Sequence, residues 1–322
     1  MAHPGESGRA AIRRRAGLAV LLAAVAGSVL AVAPFEARCA ELTTPAIAGV
    51  VVGGAPIGIV RDDFRGTEGP MAFSDGSLLF TEGQATQVTR IAADGSVSAL
   101  LTNAGVPNAL ALNRKGELLA VLTGQPALAV IYPAAKARTL ADSFNGKPLN
   151  RPNDLVVDRR GGVYFTDPGG RVKPAEAPPS PAVYYFNPAG KLLLATSDVA
   201  VPNGIQLSPN EKTLYVADTR GEYVVAFDVG SDGSLSGRRN FAHVAVGGDG
   251  LAVDSAGRLY VATTLGVEVV GPDGAALGVI TLPKQPQNLA FAGRDKRTLY
   301  VVGRGTVYQI PMLTRGFTGR AK

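Results

Sequence analysis

Six side chains with hydrogen-bonding oxygens recur at one position of a repeated sequence pattern, and together they could hold a cation. They are Glu68, Asn108, Asn153, Asn203, Asp249 and Asn288. Carboxylate and amide oxygens are the ligands that Ca²⁺ takes in proteins. Glu68 and Asp249 would repel each other if buried together, unless a cation or a shared proton offset their charges. The alternative is that Asn and Asp simply favour turns, but the agreement of six positions in register weighs against it.

One arginine near these residues has no counterpart in the other repeats. Arg151 stands two residues ahead of Asn153 in the stretch RPND, and none of the other five positions has an arginine at that distance. Its guanidinium offers a rigid fork of donors for a polar or acidic substrate. The alternative is an ion pair with Asp154 or Glu68. We predict that Arg151 contacts a substrate.

The elements that must position these residues are short strands in a repeating order. Six segments share one turn-then-strand plan: DGSLLF, KGELLAV, GGVYFTD, KTLYVAD, GRLYVAT and RTLYVV. Their reference residues are Leu78, Leu118, Val163, Leu214, Leu259 and Leu299, spaced 40 to 51 residues apart. That period is typical of propeller blades. The sequence therefore predicts an all-β fold, a six-bladed β-propeller of four-stranded blades. The first strand of each blade lines the central channel, so the six residues, called the ring residues below, should converge on its axis.

The last repeat is one strand short. Only TVYQIPML follows its first hairpin, whereas residues 47–60, IAGVVVGGAPIGIV, precede the first blade and have no partner. We predict that this N-terminal segment supplies the missing strand and closes the ring, which hides two sheet edges. The predicted organisation is a signal peptide at 1–40, an N-terminal segment with the ring-closing strand at 41–66, the propeller at 67–313 and a basic tail at 314–322.

The first forty residues have the plan of an export signal. Arg13, Arg14 and Arg15 precede 18 residues rich in Ala, Leu and Val, a charged-then-apolar order typical of secretory signals; a membrane anchor is the alternative. We therefore expect a periplasmic or secreted protein without a stable membrane anchor after cleavage. Five arginines and two glutamates lie within 1–40, so the remaining chain has 27 basic and 24 acidic residues, a net charge of +3. That balance gives no support to a nucleic-acid partner.

Residue counts narrow the chemistry further. No cysteine follows Cys39, and His243 is the one histidine beyond residue 40. Disulfides, thiol catalysis, cysteine-ligated metals and a pair of catalytic histidines are therefore excluded from that part of the chain. Oxygen ligands and carboxylates remain. We expect His243 to be a packing or surface residue and Asp154, Asp167 and Asp218 to be structural.

The order of several motifs resembles the SMP-30/gluconolactonase/LRE family. These motifs are Glu68-Gly69-Pro70, NRPND at 150–154 with VYFTDP at 163–168, VPNGIQLSPNEKTLYVADT at 201–219, GDGLAVD at 248–254 and NLAFAGRDKRTLYV at 288–301. The resemblance implies one divalent cation, usually calcium, held by Glu68, Asn203 and Asp249. It also implies that Asp249 is the general acid/base and that Arg151 and Asn153 contact a lactone substrate.

The resemblance implies a metal-dependent hydrolase that opens a sugar lactone or a related small cyclic ester. We also expect a monomer. Two alternatives stay open: a non-catalytic propeller that keeps a structural calcium and acts as a binding module, and an arylesterase-like or phosphotriesterase-like enzyme. The chain departs from the family pattern at Met71, at 121–126, at Gly248 and at 169–181. These departures affect the expected substrate more than the expected metal.

Overall fold

Alternating apolar segments, separated by turns rich in Gly, Asp and Asn, pair into six antiparallel sheets of four strands. The computed structural model describes residues 41–170 and 178–319. The predicted signal peptide, residues 171–177 of the loop at 169–181 and the last three residues of the predicted tail lie outside the described residues.

The strands of the first three blades run in sequence order within each sheet. They are β2 (Thr67–Ala72), β3 (Leu78–Glu82), β4 (Gln87–Ile91) and β5 (Val97–Leu101); β6 (Pro107–Leu112), β7 (Leu118–Leu122), β8 (Ala127–Tyr132) and β9 (Arg138–Ala141); and, after the small hairpin β10 (Ser143–Phe144) and β11 (Lys147–Pro148), β12 (Leu155–Val157), β13 (Val163–Asp167), β14 (Ala182–Phe186) and β15 (Leu192–Thr196). Two short 3₁₀ helices occupy Gly83–Ala85 and Ala134–Lys136.

The last three blades follow the same plan. They contain β16 (Pro202–Leu207), β17 (Thr213–Asp218), β18 (Tyr223–Val229) and β19 (Leu235–His243); β20 (Leu251–Val253), β21 (Leu259–Thr263), β22 (Gly266–Val270) and β23 (Ala276–Ile280); and β24 (Asn288–Ala292), β25 (Thr298–Gly303) and β26 (Thr306–Pro311) with β1 (Gly58–Arg61). The second strand of every blade begins at its reference residue or one residue before it. The six-bladed architecture is confirmed.

The N-terminal strand closes the ring, as predicted. Strand β1 pairs antiparallel with β26, with Gly58 opposite Gln309 and Ile59 opposite Tyr308. The strand is shorter than the predicted segment at 47–60, because residues 47–51 form a tight turn. Val50 and Val51 are buried in that turn against the last two blades, so their apolar character reflects packing rather than strand pairing.

The core is divided among the blade interfaces. Each of six clusters of buried apolar side chains joins one blade to the next, including a cluster between the sixth blade and the first. Large side chains such as Phe80, Tyr164 and Tyr260 are fully buried there. Burial of apolar area at every interface holds the first strands at fixed distances around the channel.

The C-terminal segment is packed against the propeller. Phe317 donates its N–H to the carbonyl of Val253 at 3.1 Å, and Gly316 donates to the carbonyl of Lys296 at 2.8 Å. Residues 315–317 therefore cross the ends of the fifth and sixth blades. No helix within the described ranges has both the length and the apolar character needed to cross a membrane.

Candidate metal centre

The ring residues stand where the first strand of each blade begins, and hydrogen bonds link neighbours around the ring. Asn108 donates from Nδ2 to the carbonyl of Asn153 at 2.8 Å. Asn288 donates from Nδ2 to Oε2 of Glu68 at 3.1 Å, which joins the last blade to the first. The carbonyl of Asn203 accepts from the Thr166 hydroxyl of the preceding blade at 2.7 Å. Hydrogen bonds therefore join Asn108 to Asn153 and Asn288 to Glu68, and Thr166 joins the third blade to Asn203.

Glycines allow the ring strands to approach closely. The residues after Glu68, Asn203 and Asp249 are all glycine. A Cβ atom on Gly69 would overlap the backbone of Asn108 and Ala109, and one on Gly204 would overlap the carbonyl of Asp249. Each of these glycines is needed because the neighbouring blade's backbone occupies the space of a side chain. The Gly204 contact shows that the chain next to Asn203 packs closely against the backbone of Asp249 in the next blade.

Strand pairing is irregular at several of the ring positions. The ladder between the first and second strands shifts register between Glu68 and Met71 and between Pro202 and Ile205. Such bulges rotate a side chain away from its regular alternation and are frequent beside functional sites. The same shift occurs between Pro107 and Ala109, so the bulges mark three ring positions, Glu68, Asn108 and Asn203, of which two are predicted metal ligands.

The carboxylate of Glu68 is oriented by three donors. Its Oε2 accepts from the Gly69 N–H at 3.0 Å and from Asn288, and its Oε1 accepts from Nε2 of Gln287 at 3.3 Å. The Oδ1 of Asn288 accepts the N–H of Leu289 at 2.9 Å. Asn288 is 1% exposed, so both ends of its amide are used inside the protein. It orients Glu68 rather than offering an oxygen of its own to a cation.

The amide of Asn203 is held in one orientation by Thr219. The Thr219 hydroxyl donates to the carbonyl of Gly248 at 2.9 Å, which can only accept. Its oxygen is therefore free to accept, and Nδ2 of Asn203 donates to it at 3.0 Å. This fixes the amide with Oδ1 on the other side, and Oδ1 is buried without a hydrogen-bond partner. A buried carbonyl oxygen without a partner is costly, and coordination to a cation would satisfy it.

The donor set fits a hard cation. Glu68 and Asp249 are half-buried carboxylates, and Asn203 adds the unsatisfied amide oxygen. Within the described ranges, no three His, Cys, Asp or Glu side chains come close enough to hold a metal ion. A set of two carboxylates and one amide is a different kind of group, since an amide donor is not among those four residue types. Oxygen donors of this kind suit Ca²⁺ better than a metal that prefers nitrogen or sulfur.

The predicted substrate contacts, Arg151 and the ring residue Asn153, lie in the segment that leads into β12, the first strand of the third blade. Asp167 is fully buried and accepts from the N–H groups of Asn150 at 2.8 Å, Arg151 at 3.0 Å and Gly169 at 3.0 Å. Burial raises the pKa of Asp167, against the opposing effect of these N–H groups. The backbone of Arg151 is thus fixed by Asp167, whereas its side chain is exposed. Asn153 is half-buried on the same loop.

The aspartates expected to be structural do bind the backbone. Asp154 is fully buried, with Oδ1 accepting from Leu155 at 2.8 Å and Oδ2 accepting from Ile205 of the next blade at 3.3 Å. This use of its oxygens weighs against an ion pair between Asp154 and Arg151. Asp218 accepts from the N–H of Val201 at 3.1 Å. His243 is exposed on β19, with its Nε2 3.4 Å from the carboxylate of Glu222.

Sequence reasoning did not identify the threonines that hold the ring. Thr81 and Thr166 occupy equivalent positions on the second strands of their blades, and each donates to the carbonyl of the next blade's ring residue. Thr219 is the last residue of the motif at 201–219, but the motif does not predict its contact with Asn203. The sequence signal that could have identified them is a threonine three or five positions after a reference residue, as at Thr81, Thr166 and Thr219.

Comparisons with known proteins identify the family of the chain. The sequence profile of the SMP-30/gluconolactonase/LRE-like region matches residues 66–304. A gluconolactonase from Zymomonas mobilis is 28% identical over 305 residues, covering 85% of this chain and 86% of that protein. The structure of a gluconolactonase from Xanthomonas campestris superimposes with a TM-score of 0.76 at 31% identity, covering 85% of this chain and 96% of that one.

A third relative shares the fold. A calcium-binding protein, regucalcin, from Agrobacterium tumefaciens gives a TM-score of 0.68 at 20% identity, covering 84% of this chain and 95% of that one. The matching family profile and the two gluconolactonase relatives confirm the resemblance and the prediction of a gluconolactonase-type enzyme at the level of the family. The chain belongs to the SMP-30/gluconolactonase/LRE-like family.

Proposed function

We propose that the protein is a metal-dependent lactonase whose cation is held by Glu68, Asn203 and Asp249. The observation that carries the proposal is the buried Oδ1 of Asn203, which Thr219 orients and which has no hydrogen-bond partner. The gluconolactonase relatives support lactones as the substrate class, and the calcium-binding relative with the same fold supports a divalent cation.

Calcium is the proposed cation because every donor is oxygen. Ca²⁺ takes about 6–8 oxygen ligands, so three from the protein leave positions for water and a substrate. When bound, the cation would supply Lewis-acid polarisation of the substrate carbonyl. The anchoring of Glu68 by Asn288 and Gln287 fixes one carboxylate in advance, which reduces the ordering needed on binding.

The protein's own groups would handle the proton and the substrate. Asp249 would take a proton from the attacking water and return it to the ring oxygen as the acyl C–O bond breaks. The products are the hydroxyl and carboxyl groups of one open-chain hydroxy acid, so water is the only co-reactant. Arg151 would orient the substrate through its exposed guanidinium, and Asn153 through its amide.

A lactone panel with matched aspartate variants tests this function. Purified protein with Ca²⁺ should hydrolyse at least one aldonolactone, aliphatic lactone or aromatic lactone, followed by acid release. Asp249→Asn should lower kcat by about 10²–10⁴-fold, the usual contribution of general acid–base catalysis. The control is Asp273→Asn, which changes an exposed turn residue of the outer hairpin and should leave kcat unchanged.

Two outcomes would contradict the proposal. One is full activity in a folded Asp249→Asn protein. The other is no hydrolysis of any lactone by protein with confirmed bound Ca²⁺, which would favour the propeller as a binding module.

We further propose that the protein is exported, with residues 1–40 removed, and that the mature form acts as a monomer in the periplasm or outside the cell. The support is the arginine cluster ahead of the apolar run at 16–33. Mass spectrometry of protein recovered from each cell fraction should find a mature N-terminus near residue 40 outside the cytoplasm. Recovery of the uncleaved chain in the cytoplasmic or membrane fraction would refute it.

Light scattering on the same mature protein should give the mass of one chain, and a mass of two chains would refute the monomer.

A further inference from the structure

A concavity lies at the opposite end of the channel from the ring residues. It has a volume of about 810 Å³ and is lined by the ends of first strands, including Ala72, Ala111 and Val157. Ala72 follows Glu68 by four residues, so the two lie about 13 Å apart along an extended strand. The cavity is therefore separate from the candidate metal centre, and its volume is within the usual range for small-molecule sites of about 300–1,000 Å³.

The acidic side chains of this cavity are already neutralised by bases. Asp158 pairs with Arg160 at 2.9 Å, and Glu211 pairs with Arg159 at 3.0 Å. The third lining carboxylate, Asp75, pairs with Arg90. Each carboxylate that lines the cavity thus has an arginine of its own.

Two arginines on the lining, Arg114 and Arg294, have no such carboxylate partner in the part of the chain that the structure describes. Arg114 donates from Nη1 to the carbonyl of Arg159 at 2.9 Å, and Lys296 donates from Nζ to the carbonyl of Phe317 at 2.9 Å. Arg294 also lines the cavity and is exposed. Among the described residues, neither Arg114 nor Arg294 forms an ion pair with a carboxylate. The rim therefore carries a surplus of positive charge.

The C-terminal segment limits the space on one side. Thr318 and Gly319 line the cavity, and residues 315–317 are fixed to the fifth and sixth blades by the hydrogen bonds described above. The first three blades contribute apolar strand ends to the floor and Arg114 to the rim, and the sixth blade contributes Arg294 to the rim. An apolar floor below a cationic rim suits a ligand with an apolar body and one anionic group.

We propose that this cavity binds a small organic carboxylate with an apolar body. The carboxylate would lie between Arg114 and Arg294, and the body would contact Ala72, Ala111 and Val157. This site does not depend on the lactonase proposal, because it shares no residue with the ring. Its affinity should fall as ionic strength rises, since the rim cations are exposed.

Benzoate is a suitable probe, with benzamide as its neutral counterpart and inorganic phosphate as a compact anion. Titration of the full-length folded protein at low salt, followed by isothermal calorimetry, should show binding of benzoate and little binding of benzamide. Arg114→Gln and Arg294→Gln should each raise the Kd roughly fivefold, as expected for one exposed charge contact. Lys115→Gln is the control, because Lys115 is an exposed neighbour of Arg114 that does not line the cavity.

A further variant separates this cavity from the ring face. Arg151→Gln should leave the benzoate Kd unchanged, because Arg151 lies at the other end of the channel. The proposal is overturned by absence of benzoate binding, by equal binding of benzamide, or by a Kd that responds to Arg151→Gln and not to the rim variants. Tighter binding of phosphate than of benzoate would overturn the assignment of an apolar body.

Discussion

Replacing Thr219 by valine should weaken cation binding although Thr219 is not a predicted ligand. The hydroxyl holds the Asn203 amide by accepting from Nδ2 while it donates to the carbonyl of Gly248. Valine has almost the same shape but neither function. The Asn203 amide could then rotate, and its Oδ1 would no longer be fixed toward the cation.

The expected magnitudes follow from the two lost hydrogen bonds. Each unsatisfied buried group costs about 1–3 kcal/mol, and Asn203 is only half-buried, so a loss of about 2 kcal/mol of unfolding free energy is expected. For a chain of this size that corresponds to a fall in Tm of about 3–4 °C. Loss of a residue that orients a metal ligand should raise the Kd for Ca²⁺ by about 10–100-fold.

Isothermal titration of chelator-stripped protein with CaCl₂, together with calorimetric melting, measures both effects. Thr219→Ser keeps the hydroxyl and should restore the wild-type Kd. Thr264→Val is the matched control: Thr264 occupies the equivalent position one blade later, and its hydroxyl donates to the carbonyl of Val246 at 3.0 Å rather than contacting a ring residue. A folded Thr219→Val protein with the wild-type Kd would refute the role of Thr219 and weaken the assignment of Asn203.

Three further changes test other parts of the structure. Asn288→Leu removes a donor to Glu68 and should raise the Kd for Ca²⁺ by about tenfold, measured by calorimetry; an unchanged Kd would show that Glu68 needs no such anchor. Gly204→Ala should destabilise the fold by several kcal/mol, about 2–4, because its Cβ overlaps the next blade's backbone, whereas Gly83→Ala, with its nearest contact at 3.8 Å, should melt close to wild type. Hydrogen bonding to arginine and asparagine side chains lowers the pKa of Glu117 from 4.5 to about 2. Its stabilisation is therefore complete above pH 4.5 and is lost as pH falls toward 2, so the Tm deficit of Glu117→Gln should vanish over that range; a constant deficit would contradict this.

The arrangement of the ring could be predicted from the sequence because it depends on periodicity. Ring residues ten or eleven positions ahead of a reference strand must occupy equivalent places if the blades are equivalent. The same reasoning predicted the closing strand from one missing partner. The predicted segment at 47–60 is longer than the observed strand Gly58–Arg61. An apolar run such as Val50-Val51 can be buried by a turn as well as by strand pairing, so the run alone does not define the strand.

The different roles of the individual ring residues could not be predicted in this way. Asn203 and Asn288 are the same residue type at the same position, yet one leaves a buried oxygen without a partner and the other uses its oxygen on Leu289. The difference depends on the neighbours each amide meets, Thr219 in one case and Glu68 in the other. These contacts join separate blades and have no regular spacing along the chain.

The central claim is that a cation at the channel ring is needed for lactone hydrolysis. The most direct measurement is the rate of acid release from the best substrate of the lactone panel as Ca²⁺ is added back to chelator-stripped protein. We predict negligible enzymatic release without the cation and a saturable recovery, with the midpoint shifted to higher Ca²⁺ in Thr219→Val. Equal rates in stripped and reloaded protein would contradict the account.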